Sequence, residues 1–463
     1  MQFRWVRFEL TLLALVVLGL GLAPYSRAFP LAMQKAEAHR AAGEYGAAEA
    51  TYQIAARLNP RAPLPWIRRG EVYLLQNRPS LAIAVFMEAE RLGASGEALV
   101  HLAEAYAARG DWGMAIRTWL RALPSAPDPA EVYVDLGRAF VAQGQFDLAR
   151  SYLRQALKLQ PTGGEVADAQ ALLGRLVIDQ DPEQAANYFR QAGDDDMLTV
   201  LETIAAESQP ARQALLLGTA SLQRNELPLA RYHLERAVSL APNDAAAKGY
   251  LAHTLDRIGE TAAAQDLLEQ ALELDGASAL TLYFLGAHHR RVGNLEAAQA
   301  ALWEAFQLDP ENAAIRAEMA GTFVDQANYA SAEEWYVGAA DVAEGKAEFQ
   351  LMLVHFYVDH LYRIEESGLA AAEALVEEAP GDARAHDLLG WARHLSGLQA
   401  EAEQALKQAL RLDPGLVSAQ FHLGSLYATM GQEDLARSHL QKAVDLDTTG
   451  YYRQRAELVL RDL

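Results

Sequence analysis

Residues 293–310 read GNLEAAQAALWEAFQLDP, from Gly293 to Pro310. The stretch holds no cysteine, histidine or hydroxyl nucleophile, and its meaning lies in its recurrence. Residues 43–60 read GEYGAAEATYQIAARLNP, residues 144–161 GQFDLARSYLRQALKLQP and residues 397–414 GLQAEAEQALKQALRLDP. Each opens on Gly, places Ala five residues on and again seven further, and closes on Pro after five more.

Extending the alignment produces a ladder of alanines. The first rungs are Ala48, Ala82, Ala115, Ala149, Ala230, Ala264, Ala298, Ala332, Ala402 and Ala436. The second rungs are Ala55, Ala89, Ala122, Ala156, Ala237, Ala271, Ala305, Ala339, Ala409 and Ala443. Most steps are 34 residues, with one of 33 between Ala82 and Ala115. The step of 81 from Ala149 to Ala230 fits one unit plus thirteen residues, and the step of 70 from Ala332 to Ala402 fits one degenerate unit with two extra. Length alone suggests about three domains. A repeat array instead buries one continuous core between stacked units.

Each unit reads as a helical hairpin. Ala and Leu favour helix, and apolar residues recur at spacings of three, four and seven. Leu282, Leu285, Gly286, His289 and Val292 mark one face of a first helix, and Leu295, Ala298, Leu302 and Ala305 mark a second. Gly293 and Asn294 separate them. Asp309 and Pro310 end the unit, because a residue before proline avoids the α region. Small residues at Gly286, Ala298 and Ala305 predict a close approach of backbones.

These residues resemble the tetratricopeptide repeat family over about residues 29–450. In unit 279–312, Leu285, Gly286, Gly293, Ala298, Ala305 and Pro310 stand on signature positions. Unit 63–96 adds Trp66, Gly70, Tyr73, Ala82, Phe86 and Ala89, and unit 130–163 adds Leu136, Gly137, Phe140, Ala149, Ala156 and Pro161. The resemblance implies an all-α, right-handed superhelical solenoid of about 12 helix-turn-helix units, degenerate at 164–210 and 347–382. Residues 451–463, YYRQRAELVLRDL, are expected to form a capping helix. Residues 347–382 carry HFYVDHLYRIEES where small residues belong. Pentatricopeptide arrays that read RNA have a similar period, but the charge of this chain argues against them.

The formal net charge is -21, which disfavours nucleic acid as a partner because phosphate binding needs clustered Lys and Arg. The absence of cysteine excludes disulfides, thiolate metal sites and a cysteine nucleophile. No phosphate-binding Gly-rich loop and no HExxH is present. The twelve histidines show no metal-ligand spacing: His288 and His289 are adjacent, His355 and His360 five apart, His386 and His394 eight apart. Asp194, Asp195 and Asp196 read as a solvated charge run. No serine sits on a strand-to-helix elbow. No catalytic residue, cofactor or metal is expected, and the protein is expected not to be an enzyme.

The chain opens MQFRWVRFELTLLALVVLGLGLAPYSRAFP. Arg4 and Arg7 precede an uncharged run of fourteen residues from Leu10 to Ala23, shorter than the roughly 20 needed to cross a bilayer unaided. Counting from Trp5 gives nineteen positions, with Arg7 free to snorkel and Trp5 suited to the interface. Residues 1–28 are expected to be an uncleaved anchor, the alternative being a signal peptide cut after small residues such as Ser26 and Ala28. Either way the amino terminus is expected in the cytoplasm and the repeats outside it, by the positive-inside rule. Cleavage would leave a secreted soluble protein.

In the resembled family, first helices line a concave surface that grips peptides. Some members hold a terminal carboxylate with Lys and Asn at fixed first-helix positions. Here those positions carry Val100 and Glu104, Val134 and Arg138, Tyr283 and Ala287, so that clamp is not present. The same face gathers Tyr250, His253, Arg257, Tyr283, Arg290, Trp391 and Phe421 in the carboxy-terminal half. Aromatics and Arg are the types enriched at interface hot spots, which makes these the candidate partner-binding residues. For Tyr283 and Phe421 the competing reading is packing between adjacent first helices. The expected function is a non-enzymatic, membrane-tethered, extracytoplasmic scaffold for protein partners. The alternatives are an accessory subunit or assembly factor of a membrane complex, a polysaccharide export scaffold, and a secreted binding protein.

Overall fold

The computed structural model describes residues 27–463, apart from 95, 160–163, 344, 346, 448 and 449. Residues 1–26, and with them the anchor or signal segment, lie outside the described residues. Among the described residues the chain is helical throughout, with no strand. None of these helices is long and apolar enough to cross a membrane.

The opening phrase shows how the sequence builds one hairpin. Helix Ala279–Arg291 is followed by Leu295–Leu308. Gly293 takes φ +81°, in the left-handed region where a Cβ is penalised. The Asn294 side chain then accepts from the backbone N–H of Ala297, capping the second helix. Asp309, before Pro310, leaves the helix at φ -141° and ψ 77°. The left-handed turn residue recurs in register with the ladder, at Gly43, Asn77, Gly110, Gly144, Asn225, Gly259, Gly293, Ala327, Leu361, Gly397 and Gly431.

Every first-rung alanine from Ala48 to Ala436 is fully buried, and the second rungs are buried equally well. Close approach within a hairpin is secured by glycine on the first helix. A Cβ on Gly286 would lie 2.5 Å from Leu302 Cγ, one on Gly390 2.6 Å from Leu406 Cγ, and one on Gly70 2.4 Å from the Phe86 ring. The bulky residue stands four positions after the rung, so its side chain covers the turn above that alanine. The first helix 279–291 buries Thr281, Leu282, Phe284, Gly286 and His288. That face is wider than the one expected from sequence, because a first helix touches its own second helix and neighbouring first helices as well. Val292, placed on the apolar face by its spacing, is 49% exposed.

Two departures from the period are absorbed locally. After helices Gly164–Val177 and Pro182–Ala192, the extra residues form a further helix, Asp195–Ala206. The acidic run is therefore a helix start rather than a solvated loop: Asp194 accepts from Met197 N–H and pairs with Arg175 at 3.4 Å and Arg224 at 3.2 Å. In unit 347–382, Gly368 stands 34 residues before Ala402 and takes the rung position, where a Cβ would lie 3.0 Å from Tyr357 Cβ. The two additional residues fall between the turn at Leu361 and this rung, where a π-helical turn, Ile364–Gly368, takes them up.

The described helices form two compact units, one of residues 140–436 and one of the described residues up to 139 together with those of 437–463. In the latter, helix Tyr451–Asp462 is fastened by buried Arg453, which donates to the carbonyls of Val444 and Asp447. Consecutive repeats are joined by a hydrogen bond that recurs at a separation of 24 residues. The hydroxyl of Tyr73 donates to Glu49, that of Tyr357 to Glu333 at 2.8 Å and that of Tyr427 to Glu403 at 2.8 Å.

These features set two opposite expectations for thermal melts. Ala298→Leu inserts bulk at a fully buried rung and should destabilise by roughly 1–3 kcal/mol, whereas Ala300→Leu, on the exposed side of the same helix, should cost much less. Leu361 holds a left-handed backbone at φ +50° and is 67% exposed, so Leu361→Gly should raise stability by about 1 kcal/mol. Equal shifts for the two alanines would count against tight packing at the rung, and a destabilised Leu361→Gly would show that the leucine side chain makes compensating contacts.

Candidate functional site

The candidate residues stand on first helices of the unit 140–436, and the structure gathers most of them around two centres. The first is Phe284, a buried residue not singled out from sequence. Tyr250 meets its ring edge-on at 4.9 Å, and His253 and Tyr283 approach at 5.6 and 5.3 Å. Helices Ala245–Ile258 and Ala279–Arg291 carry this group. Tyr250, His253 and Tyr283 are half-buried, so each packs on Phe284 and keeps part of its surface exposed. Burial, with a smaller contribution from Glu318, pushes the Tyr283 hydroxyl up to about 12.

The second centre is His422. Trp391, on helix Ala383–Leu395, stacks on its ring at 4.3 Å with an interplanar angle of 15°. His394 lies 5.0 Å from the same indole and Phe421 6.3 Å from it. His422 Nδ1 is in turn 2.8 Å from Asp387 Oδ1, with both side chains buried. Trp391 is therefore a half-buried ring on a fixed support. Phe421 is 8% exposed and contributes packing rather than surface, which is the competing reading noted for it from sequence.

The arginines differ from one another. Arg290 donates from Nε to Asp325 at 2.7 Å and from a terminal nitrogen to Glu318 at 3.2 Å. Its guanidinium lies over Gly321, where a Cβ would come within 2.3 Å of it. Burial works against the Arg290 charge, but Asp325 and Glu318 outweigh it and hold its pKa above the ordinary arginine value. Arg290 thus belongs to the floor rather than to a rim. Arg257 donates to the side-chain oxygen of Asn225 at 2.6 Å.

Beside the first centre lies a pocket of about 410 Å³ lined by His253, Asp256, Ala287, Arg290, Arg291, Glu318 and Asp325. Asp256 is turned to His288, 2.9 Å away, and both side chains are buried. Sequence reasoning missed the Asp256–His288 and Asp387–His422 pairs. Their partners stand 32 and 35 residues apart, so no common repeat spacing announces them. Of the pocket's acids, Asp256 faces His288, and Glu318 and Asp325 share the single guanidinium of Arg290.

Outside this region, Glu71, Glu97 and His101 bring ligand-type atoms within 4.8 Å of one another. Sequence spacing had suggested no metal site among the histidines. Arg68 pairs with Glu71 and, at 3.5 Å, with Glu97, so a cation there would have to displace a guanidinium.

Stacked helical hairpins of this kind define a helical-repeat protein. Models of the tetratricopeptide repeat match residues 33–97, 95–162, 134–195, 366–417 and 417–449, together more than half of the chain. The chain belongs to the tetratricopeptide repeat family. No curated protein matches it. Among solved structures it is similar to yeast Tom70, at 16% identity over 94% of this chain and 96% of that one, with a TM-score of 0.44. It is similar to the APC/C hetero-tetramer Cut9–Hcn1 at 14% identity over 86% and 96%, TM-score 0.40. A tetratricopeptide repeat protein from Parabacteroides merdae matches at 16% identity over 55% and 98%, TM-score 0.41.

The first centre carries a pH signature. Burial, reinforced by Arg257 and Arg291, pulls the His253 imidazole down to about 4 from an ordinary value of 6.5. Between those two values the unfolded chain binds the proton more readily, so acidification through this window removes stability. Wild-type protein should therefore lose more stability from pH 6.5 to 4 than His253→Gln, as read by urea melts at each pH. Parallel pH profiles would show that His253 titrates normally in the folded state.

Proposed function

We propose that the protein is a non-enzymatic scaffold that binds protein partners along the first-helix face of residues 140–436. The observation that carries this reading is the pocket beside Phe284, lined by half-buried His253, with half-buried Tyr250 and Tyr283 packed on the same Phe284 ring. Aromatic rings held by packing supply contact area with little ordering cost on binding. Trp391, supported by His422, is a second anchor of the same type. The family consists generally of interaction scaffolds, in keeping with this role.

Recovery of partners by full-length protein purified from membranes tests the face. Trp391→Ala should reduce recovery more than about tenfold while helical content and melting cooperativity are retained. Glu296→Ala, exposed on a second helix, should leave recovery unchanged. Wild-type recovery by a folded Trp391→Ala protein would move the site elsewhere.

The same reading includes a tether. Trp5 to Ala23 would form a single span, with Arg4 and Arg7 keeping the amino terminus in the cytoplasm and the repeats on the other side. An apolar span resists high salt, whereas electrostatic attachment does not. The protein should stay with membranes through a high-salt wash and show an intact mass that includes residues 1–28. A mature chain beginning at Phe29 would replace the tethered scaffold with a secreted one.

A further inference from the structure

We propose that the paired tryptophans Trp303 and Trp335, on second helices of residues 140–436, bind an arginine side chain of a basic partner segment. Neither residue belongs to the first-helix face, so the inference stands independently of the reading given for that face.

Trp303 stands five residues after the rung Ala298, a position that faces solvent: other units place exposed Gln53, Arg154, Glu235, Glu269 or Lys407 there. Hairpin packing therefore requires no indole at this position, and Trp303 is 48% exposed. Its ring meets that of half-buried Trp335, on helix Tyr329–Val342, at 6.2 Å and 84°. Phe306 joins both, 5.6 Å from Trp303 and 4.9 Å from Trp335. The negative faces of such rings attract a cation. The cluster already holds one guanidinium. Arg316 lies over Phe306 at 5.0 Å, and its Nε donates to the Pro310 carbonyl at 2.9 Å. Gly338 leaves room for it, since a Cβ there would come within 2.7 Å of a terminal nitrogen. Among the described residues no cation lies over Trp303 or Trp335. The surrounding charge suits a second guanidinium. Helices Leu295–Leu308 and Tyr329–Val342 carry no Lys, Arg or His. Glu304 and Glu334 are exposed, stand next in sequence to the two tryptophans and make no ion pair or hydrogen bond among the described residues. Arginine fits better than lysine, because its planar, weakly hydrated group stacks on an indole while its N–H groups reach carboxylates. A second copy of the chain would bring like charge, the net value being -21.

Short fluorescent peptides alternating glycine with arginine, lysine or citrulline test this on the full-length protein, with affinity read by anisotropy at fixed salt. Citrulline keeps the shape of arginine without its charge. The arginine peptide should bind at least about tenfold tighter than the citrulline peptide, with the lysine peptide between them. Trp303→Ala and Trp303→Leu should each weaken the arginine peptide about tenfold, and Trp303→Phe less, because Trp is the best cation–π partner. Trp303→Leu keeps apolar bulk, so it separates attraction to the ring face from contact area. None of these variants changes the charge of the chain. Arginine-peptide binding that survives them unaltered is bulk attraction to an acidic surface and overturns the site. Met87→Ala, at the same exposed position of another repeat, and Trp391→Ala should leave affinity unchanged. Equal affinity for the arginine and citrulline peptides overturns the inference without recourse to any variant. A loss in Trp391→Ala with none in Trp303→Ala overturns it in favour of the first-helix face. Concentration-dependent dimerisation that Trp303→Ala abolishes, without peptide binding, assigns the rings to a second copy and overturns it as well. Partner recovery at wild-type level by Trp391→Ala, which would move the first-helix site, changes none of these outcomes.

Discussion

The structure depends on the closeness with which the two helices of a hairpin meet. At the first rung a side chain larger than a methyl group has no room, and on the facing helix even a methyl group is excluded wherever Gly286, Gly390 or Gly70 lies under Leu302, Leu406 or Phe86. The gain is dispersion contact and removal of apolar surface from water along the length of both helices. A single hairpin still leaves one broad face uncovered, so it is stable only against its neighbours. The Tyr–Glu bonds at a separation of 24 residues then fix how one hairpin sits on the next. A phenol donating to a carboxylate is a charge-assisted contact, and its direction holds the register in a way that apolar contact alone does not.

The same constraint explains which irregularities the chain tolerates. What the packing requires is a small residue at the right place, so Gly368 serves where alanine is absent. The two residues inserted before it do not displace it, because a π-helical turn consumes them ahead of the rung. The longer insertion after residue 192 cannot be hidden that way. It becomes a helix of its own, and Asp194 secures its start by capping it and by binding two arginines. Even the turn position follows the rule: Leu361 adopts a glycine-like φ because the hairpin geometry demands it.

Features governed by this packing were therefore legible in the sequence. The rungs, the turns at Gly293 and its equivalents, and the helix ends before Pro310 and Pro414 follow from steric rules that leave few residue types to choose from. The polar contacts were not legible. Asp256 reaches His288 across 32 residues and Asp387 reaches His422 across 35, so each pair is a local solution rather than a property of the repeat. Phe284 also escaped notice, since an apolar residue on an apolar helix carries no mark of being the hub for three rings. The sequence reading chose Arg290 and passed over Arg291 for the partner face, whereas their surroundings separate them the other way: Gly321 opens a seat for the Arg290 guanidinium between two acids, and Arg291 is exposed.

That separation bears on how a rigid scaffold acquires selectivity. Arg290, bound twice and laid over a helix backbone, ties helix Ala279–Arg291 to helix Ala313–Asp325 and stiffens the pocket floor. An arginine already bound twice gains little from a charged ligand, because any new contact must first break an existing one. Arg291, one residue away, is exposed and makes no side-chain ion pair or hydrogen bond among the described residues. On the proposed reading, contact area comes from the rings beside the pocket, whose positions are set by burial. The repeat packing holds these rings in place, so the aromatic surface need not be ordered when a partner arrives.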